Sequence, residues 1–239
     1  TPSSRGLGDV YKRQVESTNK KWNSTLSILA GDYLLARSSE LAAESLGLES
    51  VKLLASTYAQ LVEGQTKEVQ FSFDTNHGTD DYLKIIEGKT ASLIKTSAKL
   101  GAMASGCKQE TISSISKWAW HSGIIFQITD DILDLSSDEK TLGKPSGNDI
   151  IEGTYTLPVL IALEKYPEKI NKILSDISEN KVGVNEVINE FNNDEIISES
   201  KLFLKTHLEK SESAAMEIDN KTVKNILLDI NRYLIERSN

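Results

Sequence analysis

The chain has 239 residues and a formal net charge of −8, long enough for one large domain with a sizeable core, and nothing in its composition demands a second. That acidic balance, with no basic stripe interleaved with aromatics, excludes a nucleic-acid-binding footprint. A single cysteine, Cys107, excludes an intrachain disulfide framework and fits a reducing compartment, the cytoplasm; no apolar run approaches the roughly 18 residues of a membrane span.

The opening stretch Thr1–Gln14, reading TPSSRGLGDVYKRQ, has no helical period and no apolar core of a signal peptide. It is set aside as a non-native leader resembling a translated cloning scar, with the chain proper starting near Val15. From Leu26 onward apolar residues recur at spacings of three and four, with few β-branched alternating runs. This spacing predicts helices over Leu26–Leu46, Val51–Phe71, Asp80–Ala104, Glu110–Leu135, Thr156–Tyr166 and Pro167–Ser178, then shorter ones to the C-terminus. The fold class is all-α, a single-domain helical bundle.

In the first of these helices Asp32 lies among Ile28, Leu29, Leu35 and Ala36, and is expected to meet a buried cation or to mark a cavity. Gln65 shares the stripe of Tyr58, Leu61, Val62 and Val69 in the second, where a core hydrogen bond is the simpler reading. Asp80 and Asp81 open the third helix and suit its N-terminal dipole. Lys89 follows Ile85 and Ile86 and precedes Leu93 on an apolar stripe, so its ammonium either snorkels to water or meets an anion. Thr90 beside it is neutral by itself.

The segment Gly123 to Asp134, GIIFQITDDILD, carries most information. At about 100° per residue, Gln127, Asp130, Asp131 and Asp134 share an arc of about 100°, with Ile125, Ile128, Ile132 and Leu133 around the rest. Two like charges about 4 Å apart cost about 4 kcal/mol even at an effective dielectric of about 20, so a cation is expected among these carboxylates. Hard oxygen donors suit Mg²⁺ bound together with phosphates. The loop Ser136–Gly153 follows, and its Lys144 is either a solvated loop lysine or a point charge for a phosphate group. After Glu168 the helices turn polar and are expected on the outside of the core. His77, His121 and His207 lack metal-ligand spacing with Cys107, and no phosphate-binding glycine loop, dinucleotide fingerprint or EF-hand spacing occurs.

These residues resemble the trans-type isoprenyl diphosphate synthases, or polyprenyl synthetases, from about Trp22 to Leu163. GIIFQITDDILD with LGKPSGNDIIEGTYTLP is similar to the second aspartate-rich motif of that family and its trailing loop. EGKTASLIKTSAKLGA resembles the segment that gives a lysine and a threonine to the substrate diphosphate, and LAGDYLLA and LVEGQ fit the two helices before it.

The resemblance implies an isoprenoid-synthase-type bundle that condenses isopentenyl diphosphate with an allylic diphosphate, using Mg²⁺, as a homodimer. It implies Asp130, Asp131 and Asp134 as metal ligands and Lys89, Thr90, Gln127 and Lys144 as diphosphate contacts, with Asp130, Asp131 and Lys89 central to catalysis. Two departures are visible. The family's first aspartate-rich motif belongs just before the segment starting at Glu16, and Thr154 stands where many members have lysine. The chain is therefore expected to be a C-terminal portion, inactive alone. The alternatives are a non-catalytic subunit of a heteromeric synthase, a terpene cyclase, and a structural bundle with an acidic patch.

Overall fold

The computed structural model describes Glu16, residues 18–136 and residues 147–237. Those residues form helices and turns without a strand. In chain order the helices are α1 (Thr18–Lys21), α2 (Ser24–Leu46), α3 (Leu48–Gln70), α4 (Thr79–Ile86), α5 (Ser92–Ala104), α6 (Gln109–Ser136), α7 (Asn148–Ile151), α8 (Leu157–Lys165), α9 (Pro167–Ser178), α10 (Val184–Val187), α11 (Asp194–Met216) and α12 (Lys221–Glu236). The six bounded helices are present with ends that differ by a few residues, but the helices toward the C-terminus are not shorter: α11 has 23 residues and α12 has 16. The one break is in Asp80–Ala104, where a π-helical turn over Glu87–Ala91 separates α4 from α5.

Helix α6 is the axis of the molecule. At 28 residues it is about 42 Å long, and Ile124, Ile125, Ile128, Ile132 and Leu135 bury its apolar side in the main core. Its upstream half carries Trp118 and Ala119 into a second cluster with Ala214, Ala215, Ile218 and Leu227. Helix α8 begins on Thr156 with Pro158 in its first turn, where the missing N–H costs nothing. Every residue from Leu157 to Leu163 is buried, as expected of a helix apolar all round.

The polar sequence after Glu168 does not stay outside. Ile170, Leu174, Phe191, Ile196 and Leu204 belong to the main core, so α9 and α11 each contribute one apolar stripe beneath a charged face. Three small polar side chains then fasten α6, α11 and α12. The Ser122 hydroxyl donates to Asn231 Oδ1 at 2.8 Å, Asn231 Nδ2 donates to Ser211 Oγ at 3.0 Å, and Ser122 and Ser211 hydroxyls lie 2.9 Å apart, all buried. Nearby, His121 and His207 place their Nδ1 atoms 3.1 Å apart.

Helix α2 behaves oppositely. None of its residues is buried, and Leu26, Ile28, Leu29, Tyr33 and Leu34 are exposed. Asp32 is exposed with them and, among the described residues, meets neither a buried cation nor a cavity, because none of them packs on that face of α2. No described helix is long and apolar enough to cross a membrane.

Candidate active site

The π-helical turn sits where α3 and α6 press on it from two sides. A methyl group at Gly64 of α3 would lie 2.8 Å from the Lys89 backbone nitrogen and 3.0 Å from the Ile85 carbonyl oxygen. On the other side, a methyl at Gly123 of α6 would lie 2.7 Å from Ala91 Cα. Two glycines thus allow backbone to touch backbone on both flanks of EGKTA. Turns of this kind recur at functional positions because the extra residue re-aims the side chains beside it. Here the re-aimed side chains are Lys89 and Thr90.

Lys89 meets an anion, as one of the two readings of its apolar stripe expected. Its Nζ pairs with Glu68 Oε2 on α3, and both side chains are mostly buried, at 27% and 12% exposure. Gln65 Nε2 steadies the same carboxylate through Oε1 at 3.0 Å, a hydrogen bond within α3. Thr90 donates its hydroxyl to Gln127 Oε1 at 2.7 Å, and Gln127 Nε2 donates to Asp131 Oδ1 at 2.9 Å. The Tyr82 hydroxyl of α4 closes the chain on Asp131 Oδ2 at 2.6 Å. Four side chains from α4, the π turn and α6 are therefore one connected network.

The network opens onto a cavity of about 220 Å³. Glu68, Lys89, Gln127, Asp131 and Asp149 give it a polar side, and Ile85 and Ile86 an apolar wall. His77 lines it too, held by its Nδ1 at 2.7 Å from the Asp74 carbonyl oxygen and by stacking on Phe71, with ring centroids 4.8 Å apart. The chain rejoins α6 here, since the Gly147 N–H donates to the Asp134 carbonyl at 3.0 Å and brings Asp149 to the cavity edge.

Electrostatics separate the three motif carboxylates. Asp131 is 3% exposed, and burial pushes its pKa up to about 8, against hydrogen bonds from Tyr82 and Gln127 and with help from the charges of Asp149 and Asp130. Burial likewise raises the Tyr82 phenol well above its ordinary range, and Asp131 adds to the rise. Asp134 is also buried. Asp130 turns elsewhere: its Oδ1 accepts from Arg237 Nη2 at 2.9 Å, and the guanidinium lies over the Phe126 ring, 5.8 Å from its centroid. The cation expected among the carboxylates is thus, at Asp130, an arginine.

Among the described residues no three His, Cys, Asp or Glu side chains converge into a ready metal cage. The donors at the cavity are nevertheless hard oxygens, and the buried Asp131 carboxylate is one whose charge a divalent ion would stabilise. Of the residues singled out from sequence, Lys89, Thr90, Gln127 and Asp131 are brought together, Asp134 is buried one turn beyond, and Asp130 is paired on another side. Lys144 lies outside the described residues. Thr154 does line the cavity.

Sequence reasoning missed Glu68, Tyr82, Asp149 and Arg237. Glu68 is one turn past Gln65 and Tyr82 two turns before Lys89, so helical spacing holds a signal for both. Asp149 lies in the stretch expected as a loop, where the structure forms the short helix α7, and Arg237 is separated from Asp130 by 107 residues, with no local sign.

The polyprenyl synthetase family model matches residues 8–193, which include part of the opening stretch set aside above. The chain is 42% identical over 154 residues to nonaprenyl diphosphate synthase of Mycobacterium tuberculosis, covering 64% of this chain and 46% of that protein. It is 37% identical over 158 residues to heptaprenyl diphosphate synthase component 2 of Geobacillus stearothermophilus, covering 66% and 49%. It spans about half the length of these curated relatives. The crystal structure of heptaprenyl diphosphate synthase from Staphylococcus aureus superposes with a TM-score of 0.84 at 28% identity, covering 99% of this chain and 76% of that one.

Proposed function

The chain belongs to the polyprenyl synthetase family, and from that premise we propose that its parent protein is a prenyltransferase joining isopentenyl diphosphate to an allylic diphosphate. The observation that carries this reading is the convergence of Lys89, Gln127 and Asp131 on one cavity with an apolar wall, with Thr90 hydrogen-bonded to Gln127. Ionising a carbon–oxygen bond beside apolar walls requires the departing diphosphate's charge to be neutralised beforehand. Mg²⁺, when bound, would supply that neutralisation together with phosphate orientation.

In this reading Asp131 and Asp134 hold the metal from the buried side, with Asp130 joining them. Lys89 reaches one diphosphate oxygen as a point charge, exchanging its bond to Glu68 for one to substrate. Thr90 and Gln127 orient the diphosphate, and the hydrogen bond from Tyr82 keeps Asp131 aimed. Lys144 adds a further positive charge. Ile85 and Ile86 keep water from the allylic cation. The exposed apolar side chains of α2 suit contact with a second copy of the chain. A single cysteine and the lack of a described spanning helix support a cytoplasmic setting.

The direct test is calorimetric titration of the chain with inorganic diphosphate, with and without Mg²⁺. The reading expects Mg²⁺-dependent binding that Lys89→Ala weakens about tenfold. Binding that ignores both Mg²⁺ and Lys89 would sink it. Transfer of labelled isopentenyl diphosphate onto allylic diphosphates by the full-length protein then tests the chemistry.

A further inference from the structure

Asp130 lies on the polar arc of α6, yet its partner is a residue at the far end of the chain. We propose that Arg237 is a built-in cation that occupies Asp130 in place of a divalent metal, so that metal binding at Asp130 requires release of the last turn of α12. The proposal rests on reading Asp130 as a metal ligand.

Arg237 engages α6 at two positions one turn apart, lying over Phe126 and donating to Asp130 Oδ1 at 2.9 Å. It therefore covers one face of the helix beside the carboxylates that line the cavity. A carboxylate committed to a guanidinium is a poorer ligand, because the incoming ion must first displace a charge-assisted bond.

The exchange is physically easy. Both side chains are about a third exposed, at 32% for Arg237 and 29% for Asp130, so no core has to open. Arg237 caps α12, and its N–H bonds the Tyr233 carbonyl at a long 3.3 Å. Six residues earlier, Asn231 is fully buried in its network with Ser122 and Ser211. The anchor of α12 therefore stays in place while the final turn frays, and helix ends fray readily. The consequence is a coupling: the C-terminal turn is ordered when Asp130 is metal-free and loosened when a metal claims that carboxylate.

The opposite role makes the opposite prediction. If Arg237 were a positioning residue that aims Asp130 at the metal, its removal would weaken metal binding. The test is Mn²⁺ binding to the purified chain, with inorganic diphosphate present, followed by the electron paramagnetic resonance of free Mn²⁺. Wild type, Arg237→Gln, Asp130→Asn and the double variant are compared, with amide exchange of residues 232–237 as a second readout. Exposed pairs contribute about 0.2–1 kcal/mol, so Arg237→Gln should tighten Mn²⁺ binding by up to about fivefold, and the gain should vanish in the double variant. Mn²⁺ should also speed amide exchange in the last turn of wild type. Unchanged or weaker binding in Arg237→Gln, while Asp130→Asn still weakens it, would overturn the exchange and leave the ligand reading standing. Mn²⁺ binding that Asp130→Asn does not touch, or no Mn²⁺ binding at all, would remove the ligand reading itself.

Discussion

The hydroxyl of Tyr82 lies 2.6 Å from Oδ2 of Asp131, and both side chains are buried to within a few per cent. Helix α4 thereby holds the carboxylate that α6 delivers to the cavity. Replacing Tyr82 with Phe removes the donor and leaves Asp131 relying on Gln127. Losing one partner of a buried polar pair costs about 1–3 kcal/mol. The denaturant midpoint of Tyr82→Phe should fall accordingly with an unchanged slope, and a wild-type midpoint would show that the bond carries no net stability.

Gly64→Ala should be more damaging than its size suggests. Its methyl group would strike backbone atoms of Lys89 and Ile85 at 2.8 and 3.0 Å, and backbone cannot swing aside as a side chain can. A loss of about 1–3 kcal/mol follows from such overpacking, together with weaker diphosphate binding as Lys89 is displaced. Gly31→Ala is the matched control, since nothing lies within 4 Å of its added carbon. It sits in the interior of α2 and should gain up to about 1 kcal/mol. Equal effects at the two sites, measured by thermal unfolding and by calorimetry, would contradict the close-crossing account.

The His121 and His207 pair predicts an acid-sensitive contact between α6 and α11. Burial, then the charges of His121 and Lys210, push His207 down to about 4, and burial and Lys210 lower His121 as well. Unfolded histidine titrates near 6.5, so between about 6.5 and 4 the unfolded chain binds more protons than the folded one. Stability from this source is therefore complete above about 6.5 and lost as the pH falls toward 4. Allowing for solvent screening of a half-buried pair, about 1–2 kcal/mol is at stake. His207→Gln should show a shallower decline between pH 7 and pH 5 than wild type in urea unfolding; parallel curves would refute the assignment.

Asn231→Ala tests the fastening of α12. The side chain is fully buried and bonded to both Ser122 and Ser211, so truncation removes those bonds, leaves the two hydroxyls only each other and the Trp118 carbonyl, and opens a small void. A cost of about 2–4 kcal/mol is expected, with Mg²⁺-dependent diphosphate binding retained wherever the variant is folded. Loss of that binding in the folded variant would place Asn231 in the site rather than in the scaffold.

Much of this was legible in the residues. The spacing of apolar residues announced the helix at α8, and the aspartates of GIIFQITDDILD, set among isoleucines, announced a polar face. The π turn was not legible, because EGKTA contains nothing that forbids an ordinary α-helix; its extra residue answers to Gly64 and Gly123 pressing from other helices. Asp32 misled because apolar neighbours bury a residue only when a partner surface covers them, and among the described residues none covers that face of α2. The contribution of α11 to the core was hidden by the charged residues on its outer face, which dilute a stripe that is nonetheless continuous in space.

The turn at Glu87–Ala91 also divides one helical stretch of the chain into α4 and α5. An α-helix spends 3.6 residues per revolution, and a π-type turn holds one more residue than its α counterpart. Deleting a single residue there would restore a continuous α-helix with everything beyond it at nearly the same bearing, whereas carrying the extra residue in α geometry would rotate α5 by about 100° relative to α4. The packing of α5 against α3, fixed by the buried bond of 2.6 Å between Thr57 and Thr96, and the aim of Tyr82 from α4 are satisfied together because the π turn absorbs that extra residue. Local helical regularity is given up so that two faces, one structural and one chemical, keep separate bearings on the same segment of chain.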